Sequence, residues 1–212
     1  SSINAVINEN SNPAATEFSI QIGSNYVQAN GTLNTTQVWQ NKATWGGSSG
    51  VAITGLTANT AYIVGIIARN TNPSPVVTAV STTTTRYTHV NTPTFTTSNI
   101  TTTGAKVTIG TNSNPSDTTY AISFTANTVV RDINDTPTIS APPTPNYLQA
   151  DGTLGSRIIY QTASVWADPT VANLTPVTSY TVQILAKNGD NDTTNGTSTS
   201  SQFETLANVG SN

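Results

Sequence analysis

The side chains able to do chemistry in this chain are few and scattered. His89 is the only histidine, and a histidine works as a general base only with a nucleophile and an orienting carboxylate beside it. Its neighbours Tyr87, Thr88, Val90 and Asn91 offer no such set, so His89 reads as part of a connection between two halves of the chain. Asp190 and Asp192, in Asn188-Gly189-Asp190-Asn191-Asp192, look like half of a calcium loop, because hard cations collect clustered oxygens. The Gly at the sixth place and the Glu at the twelfth are missing. That leaves the two aspartates as weak metal candidates on a polar hairpin tip. Asp132 and Asp135 would pair as glycosidase acids only by accident; they read as solvated loop residues open to a partner contact. No Gly-rich phosphate cradle occurs, and zero Cys removes thiolate nucleophiles, disulfides and zinc knuckles together. The expectation is a protein that is not an enzyme and carries no cofactor.

Aromatic residues offer a better surface. Tyr26, Trp39 and Trp45 recur as Tyr147, Tyr160 and Trp166 at matching places. Exposed, such rings stack on sugars or meet a protein partner, and Tyr26 and Tyr147 are the candidates for that contact. Seven Asn-x-Ser/Thr sequons are possible glycan attachment points, at Asn30, Asn34, Asn99, Asn134, Asn173, Asn191 and Asn195. Thr, Ser and Asn fill 87 of the 212 positions. Chance alone then gives about this many sequons, so their number is no sign of glycosylation.

The elements that must position these residues are announced by an internal repeat. Tyr26-Val27-Gln28-Ala29-Asn30-Gly31-Thr32-Leu33 returns as Tyr147-Leu148-Gln149-Ala150-Asp151-Gly152-Thr153-Leu154, and Leu56 to Tyr62 returns as Leu174 to Tyr180. Two copies of one domain of about a hundred residues follow, each able to bury a core without staples. Strand alternation runs through both. Phe18, Ile20 and Ile22 match Tyr120, Ile122 and Phe124; Ile3, Ala5 and Ile7 match Ala105, Val107 and Ile109; Tyr62, Val64, Ile66 and Ala68 match Tyr180, Val182, Ile184 and Ala186. Each strand should have one buried and one wet face, with helix content near zero. Asn12-Pro13 and Asn114-Pro115 mark turns.

Composition narrows the partners. Only 8% of residues are charged and the net charge is -3, so no basic stripe serves nucleic acid. No apolar run reaches the ~20 residues of a membrane span, and no basic-then-apolar signal segment is present. Zero Met reads as a processed chain or a piece of something longer. Few charges, no sulfur and abundant Thr and Asn suit an exported surface protein.

Leu56, then Tyr62, then Ala68-Arg69-Asn70, with Leu174, Tyr180 and Ala186-Lys187-Asn188, resembles the fibronectin type III domain around its E and F strands, and the Asn-Pro turns resemble its B to C connection. The resemblance covers nearly the whole chain, twice, and bacterial surface-protein versions are the most similar. It implies an all-β fold of two tandem, immunoglobulin-like β-sandwiches, here expected as an extended rod, with Tyr62 and Tyr180 as tyrosine corners whose hydroxyls bond upstream backbone. The family's Trp on strand B is replaced by Ala5/Ile7 and Val107/Ile109. The recurring Tyr and Trp residues are therefore read mainly as replacement core.

The expected domains are 1–90 and 91–212. The first reads as lacking its first strand, since Ile3 aligns with Ala105, which Thr92 to Gly104 precede. The second carries an extra Pro-rich loop near 125–145. An uncovered edge in the first domain means either a slice from a longer array or a filament subunit that accepts a neighbour's strand. The tail Ala207 to Asn212 is a poor donor, which favours the slice. The function expected is a non-catalytic structural or adhesive module, extracellular or on the cell surface. Its partners would be protein (neighbouring repeats or copies of itself) or cell-surface glycan. The alternative is a carbohydrate-binding or spacer accessory of a secreted polysaccharide-degrading enzyme.

Overall fold

The computed structural model describes residues 1–127, 129–131, 137–139 and 144–209. Contacts divide the chain into two compact units, Ser1–His89 and Val90–Asn212. The first holds β1 (Ile3–Ala5), β2 (Glu17–Ile22), β3 (Asn25–Val27), β4 (Leu33–Asn34), β5 (Gln40–Asn41), β6 (Val51–Ile53), β7 (Ala61–Arg69) and β8 (Thr84–Tyr87). One sheet is β1-β6, and the other runs β4-β3-β2-β7-β8 with β5 also paired to β2. Alternation places Phe18, Ile20 and Ile22 between the sheets with Ile7, Val27, Trp45, Ile53 and Leu56, each such burial contributing about 1.5–3 kcal/mol.

The second unit holds β9 (Thr94–Ser98), β10 (Ala105–Gly110), β11 (Thr119–Asn127), β12 (Val129–Arg131), β13 (Pro137–Ile139), β14 (Asn146–Leu148), β15 (Leu154–Gly155), β16 (Gln161–Thr162), β17 (Thr170–Val171), β18 (Ser179–Lys187) and β19 (Ser201–Glu204). Its sheets are β17-β10-β9 and β15-β14-β11-β18-β19, with β16 also on β11. Its core gathers Val107, Tyr120, Ile122, Phe124, Leu148, Trp166, Val182 and Ile184. This partition of strands between two sheets is that of two fibronectin type III-like β-sandwiches, one per unit. The registers match between units: Ile3 faces Ile53 as Ala105 faces Val171. One difference stands out: β1 has a partner on one side only, whereas β10 lies between β17 and β9.

Two features depart from the periodicity reading. A single helical turn, Ala163–Trp166, is capped by Thr162, whose side chain accepts from the Val165 N–H, and ends on left-handed Ala167. Its counterpart in the first unit uses Asn41, which accepts from the Thr44 N–H at 2.9 Å. These turns aim Trp166 and Trp45 into the core. The second departure is the expected wet face of β2 and β11, which is largely covered: Ser19, Ala121 and Ser123 are buried. Within the segment expected as a Pro-rich loop, β12 and β13 pair antiparallel in a separate two-stranded ladder. Pro137 opens β13, a place where its missing N–H is tolerated.

Candidate functional site

The repeated Tyr-x-Gln-Ala-Asn/Asp-Gly-Thr-Leu text builds the same self-bonded turn twice. The Gln28 side-chain amide donates to the carbonyls of Tyr26 and Thr36, and that of Gln149 to those of Tyr147 and Arg157. Asn30 Oδ1 accepts from the N–H and hydroxyl of Thr32, and Asp151 does the same for Thr153. These bonds hold the exposed Asp151 carboxyl below its ordinary value, the Thr153 hydroxyl first among the causes. Gly31 and Gly152 adopt φ +80 and +84, a backbone suited to glycine. Their carbonyls accept from Thr54 and Ala172, tying this turn to the opposite sheet. The motif is an architectural clamp.

The six recurring aromatics divide into two sets. Trp45 and Trp166 are core, as the replacement reading requires, and each indole donates to a strand carbonyl: Phe18 at 2.9 Å and Tyr120 at 2.7 Å. Tyr26, Trp39, Tyr147 and Tyr160 are only half-buried, which corrects the core reading for those four. They belong to the outer face of the larger sheet, where cross-strand partners share a side. Tyr147 stands opposite Ser123, and Tyr26 opposite Gln21. The Arg69 guanidinium lies 4.5 Å from the Trp39 ring centroid, and Lys187 Nζ lies 4.6 Å from that of Tyr160. Such pairs contribute ~0.5–1 kcal/mol when exposed. Arg69 Nε also meets Glu17 Oε2 at 2.7 Å; in the second unit Thr119 replaces that carboxylate, and Lys187 donates instead to Asn191 Oδ1 at 2.9 Å. Burial, with the neighbouring Tyr147 phenol, pushes the Tyr160 hydroxyl above its ordinary value. Each unit therefore presents an outer face on which an aromatic ring is covered by a cation. Arg69, Lys187 and Glu17 were missed as site residues, although Arg69 and Lys187 close the Ala-Arg-Asn and Ala-Lys-Asn strand ends.

The acidic candidates carry less. Asp192 Oδ1 accepts from the N–H and hydroxyl of Thr194, and Asn188 Oδ1 accepts from the N–H groups of Asp190 and Asp192, so the tip is held as a turn. Among the described residues no group of three or more His, Cys, Asp or Glu is placed to hold a metal ion. Asp132, Asn134 and Asp135 lie outside the described residues. Asn30, Asn34, Asn99, Asn173, Asn191 and Asn195 are all exposed. His89 closes the first unit, its carbonyl accepting from the Asn59 N–H and the Ser1 hydroxyl.

The tyrosine corners are present in both units. The N–H of Thr57 donates to Tyr62 Oη at 3.0 Å, and that of Thr175 to Tyr180 Oη at 2.9 Å, as the resemblance to fibronectin type III domains implies. No family model matches the chain, and no curated protein does. Among solved structures, a two-domain fibronectin type III segment of chicken tenascin is 17% identical with a TM-score of 0.44, over 90% of this chain and 83% of that one. The central fibronectin-III array of RIM-binding protein is 14% identical with a TM-score of 0.29, over 91% of this chain and 57% of that one. The strand partition and the two corners define the fibronectin type III-like architecture.

Proposed function

We propose that this chain is a non-catalytic interaction module of an extracellular or cell-surface protein, joining a tandem array or filament and making adhesive contacts through the outer faces of its larger sheets. The observation that carries this is the twice-built ring and cation: Trp39 with Arg69, and Tyr160 with Lys187 near Tyr147. Aromatic rings and Arg are the side chains enriched where proteins meet. The cation over each ring reduces the open ring area that a stacked sugar would use, which favours a protein partner over glycan. Among the described residues no helix is long and apolar enough to cross a membrane.

The test joins location and contact. Surface biotinylation of intact source cells should label the protein, and the double variant Trp39→Ala, Tyr160→Ala should fold yet lose most of the cell-to-cell or cell-to-protein retention of the parent chain. Retention that is unchanged in the folded double variant would remove the outer faces from the function. Protein found only inside lysed cells would remove the surface location.

A further inference from the structure

The two units differ at one edge, and the second shows what the first would hold there. In the second unit β9 pairs with β10 from Lys106↔Ser98 through Ile109↔Phe95 to Gly110↔Thr94. Phe95 packs against the core beneath it, and Val182, Ile184 and Ala186 are each 0% exposed. Their counterparts Val64, Ile66 and Ala68 are only half-buried, and Val6 is 51% exposed. Two adjoining grooves, about 250 and 450 Å³, follow this edge between residues 3–8 and the chain from Thr78 to Arg86, with Val64, Ile66 and Ala68 at their base. Asn4, Val6 and Asn8 hold the register of Lys106, Thr108 and Gly110, whose backbone turns toward β9 while Val107 N–H turns to Pro169.

We infer that this groove is a strand-acceptor site, and that it takes an extended segment of β9 chemistry: a single aromatic alternating with threonines, laid antiparallel along residues 4–8. Main-chain bonds give such augmentation its affinity, and alternate side chains give it specificity. The aromatic would seat over Ile66 as Phe95 does over its own core, and the threonines would face water. The β9–β10 contact within this chain is the template for the interface. A second copy is a poor source, because its own β9 would have to leave an equivalent site. The proposal rests on reading the chain as an interaction module, yet involves a different surface from the outer faces.

The test uses the whole chain and a synthetic peptide with the sequence of residues 92–100. Hydrogen exchange should show the amides of Asn4, Val6 and Asn8 protected ~10-fold or more at saturating peptide, with the unfolding midpoint of the first unit raised. A peptide carrying Phe95→Ser should lose that protection. So should the chain variant Val6→Pro, which removes one donor at an exposed edge where proline is tolerated. Absence of protection at up to ~1 mM peptide, a threshold for weak binding, would overturn the proposal. Sedimentation showing the chain already self-associated through this edge, with Val6→Pro dissolving the dimer, would also overturn it by assigning the groove to a second copy. Neither result touches the Trp39 and Tyr160 variants, so failure here and failure of the outer-face reading are separable.

Discussion

The indole Nε1 of Trp166 donates to the backbone carbonyl of Tyr120 at 2.7 Å, fixing a one-turn helix against the central strand of its sheet. Trp45 makes the same bond to Phe18. Both rings are almost fully buried, so each holds volume and a donor at once. Trp166→Phe removes the donor and part of the volume, and the second unit should lose about 2–4 kcal/mol. Trp45→Phe should cost the first unit a similar amount. Urea titration should show a lower midpoint with an unchanged slope.

The tyrosine corners allow a cleaner subtraction. Tyr62→Phe and Tyr180→Phe each remove only the hydroxyl that accepts from Thr57 or Thr175. Each should lower stability by about 1–2 kcal/mol, because the N–H loses its protein partner. Tyr180 is the more buried of the two rings and stacks on Phe203 at 5.8 Å, so water replaces the lost partner less readily there. The second unit should show the larger loss.

These corners were legible because their signal is local: Leu, then Tyr six residues on, then alternation. The buried sets of β2 and β11 were legible for the same reason, since period-two patterning reports which way a side chain points. It does not report what lies across the sheet. Ser19 and Ser123 looked wet by pattern and are buried. The pairing of Arg69 with Trp39, thirty positions away, followed only once Glu17 stood opposite Arg69. The helical turn at Ala163–Trp166 escaped because four residues carry no period. The open edge along β1 could be inferred from the alignment of Ile3 with Ala105; its chemistry needed the filled counterpart in β9.

The repeated glycine gives a third prediction. At Gly152 an added Cβ would lie 3.0 Å from the Thr170 carbonyl oxygen, while at Gly31 it would overlap the carbonyl of Ala52. Both residues already have left-handed φ, which costs an L side chain about 1–2 kcal/mol. Gly152→Ala should lose about that, and Gly31→Ala distinctly more, because backbone on the opposite sheet must move. Thermal melts of the two single variants against the parent should rank them in that order.

Alkaline pH should separate the two units. Burial raises the Tyr120 phenol above its ordinary 10.0, with Asn114 and Thr118 opposing the shift in part. Burial and Tyr147 raise Tyr160 likewise. The first unit places Phe18 and Trp39 at the matching positions, neither of which ionises. A phenol that ionises later in the folded state than in the unfolded one holds more protons when folded at high pH. Its contribution is then complete below about pH 10 and is lost as pH rises through the folded-state value. The second unit should lose stability above pH 10 more steeply than the first. The indole N–H resonances of Trp45 and Trp166 report each unit separately, so that of Trp166 should lose intensity at lower denaturant as pH is raised from 9 to 11. The double variant Tyr120→Phe, Tyr160→Trp should bring the two pH profiles together. Parallel loss in both units of the parent chain would show that burial of these phenols does not set its alkaline limit.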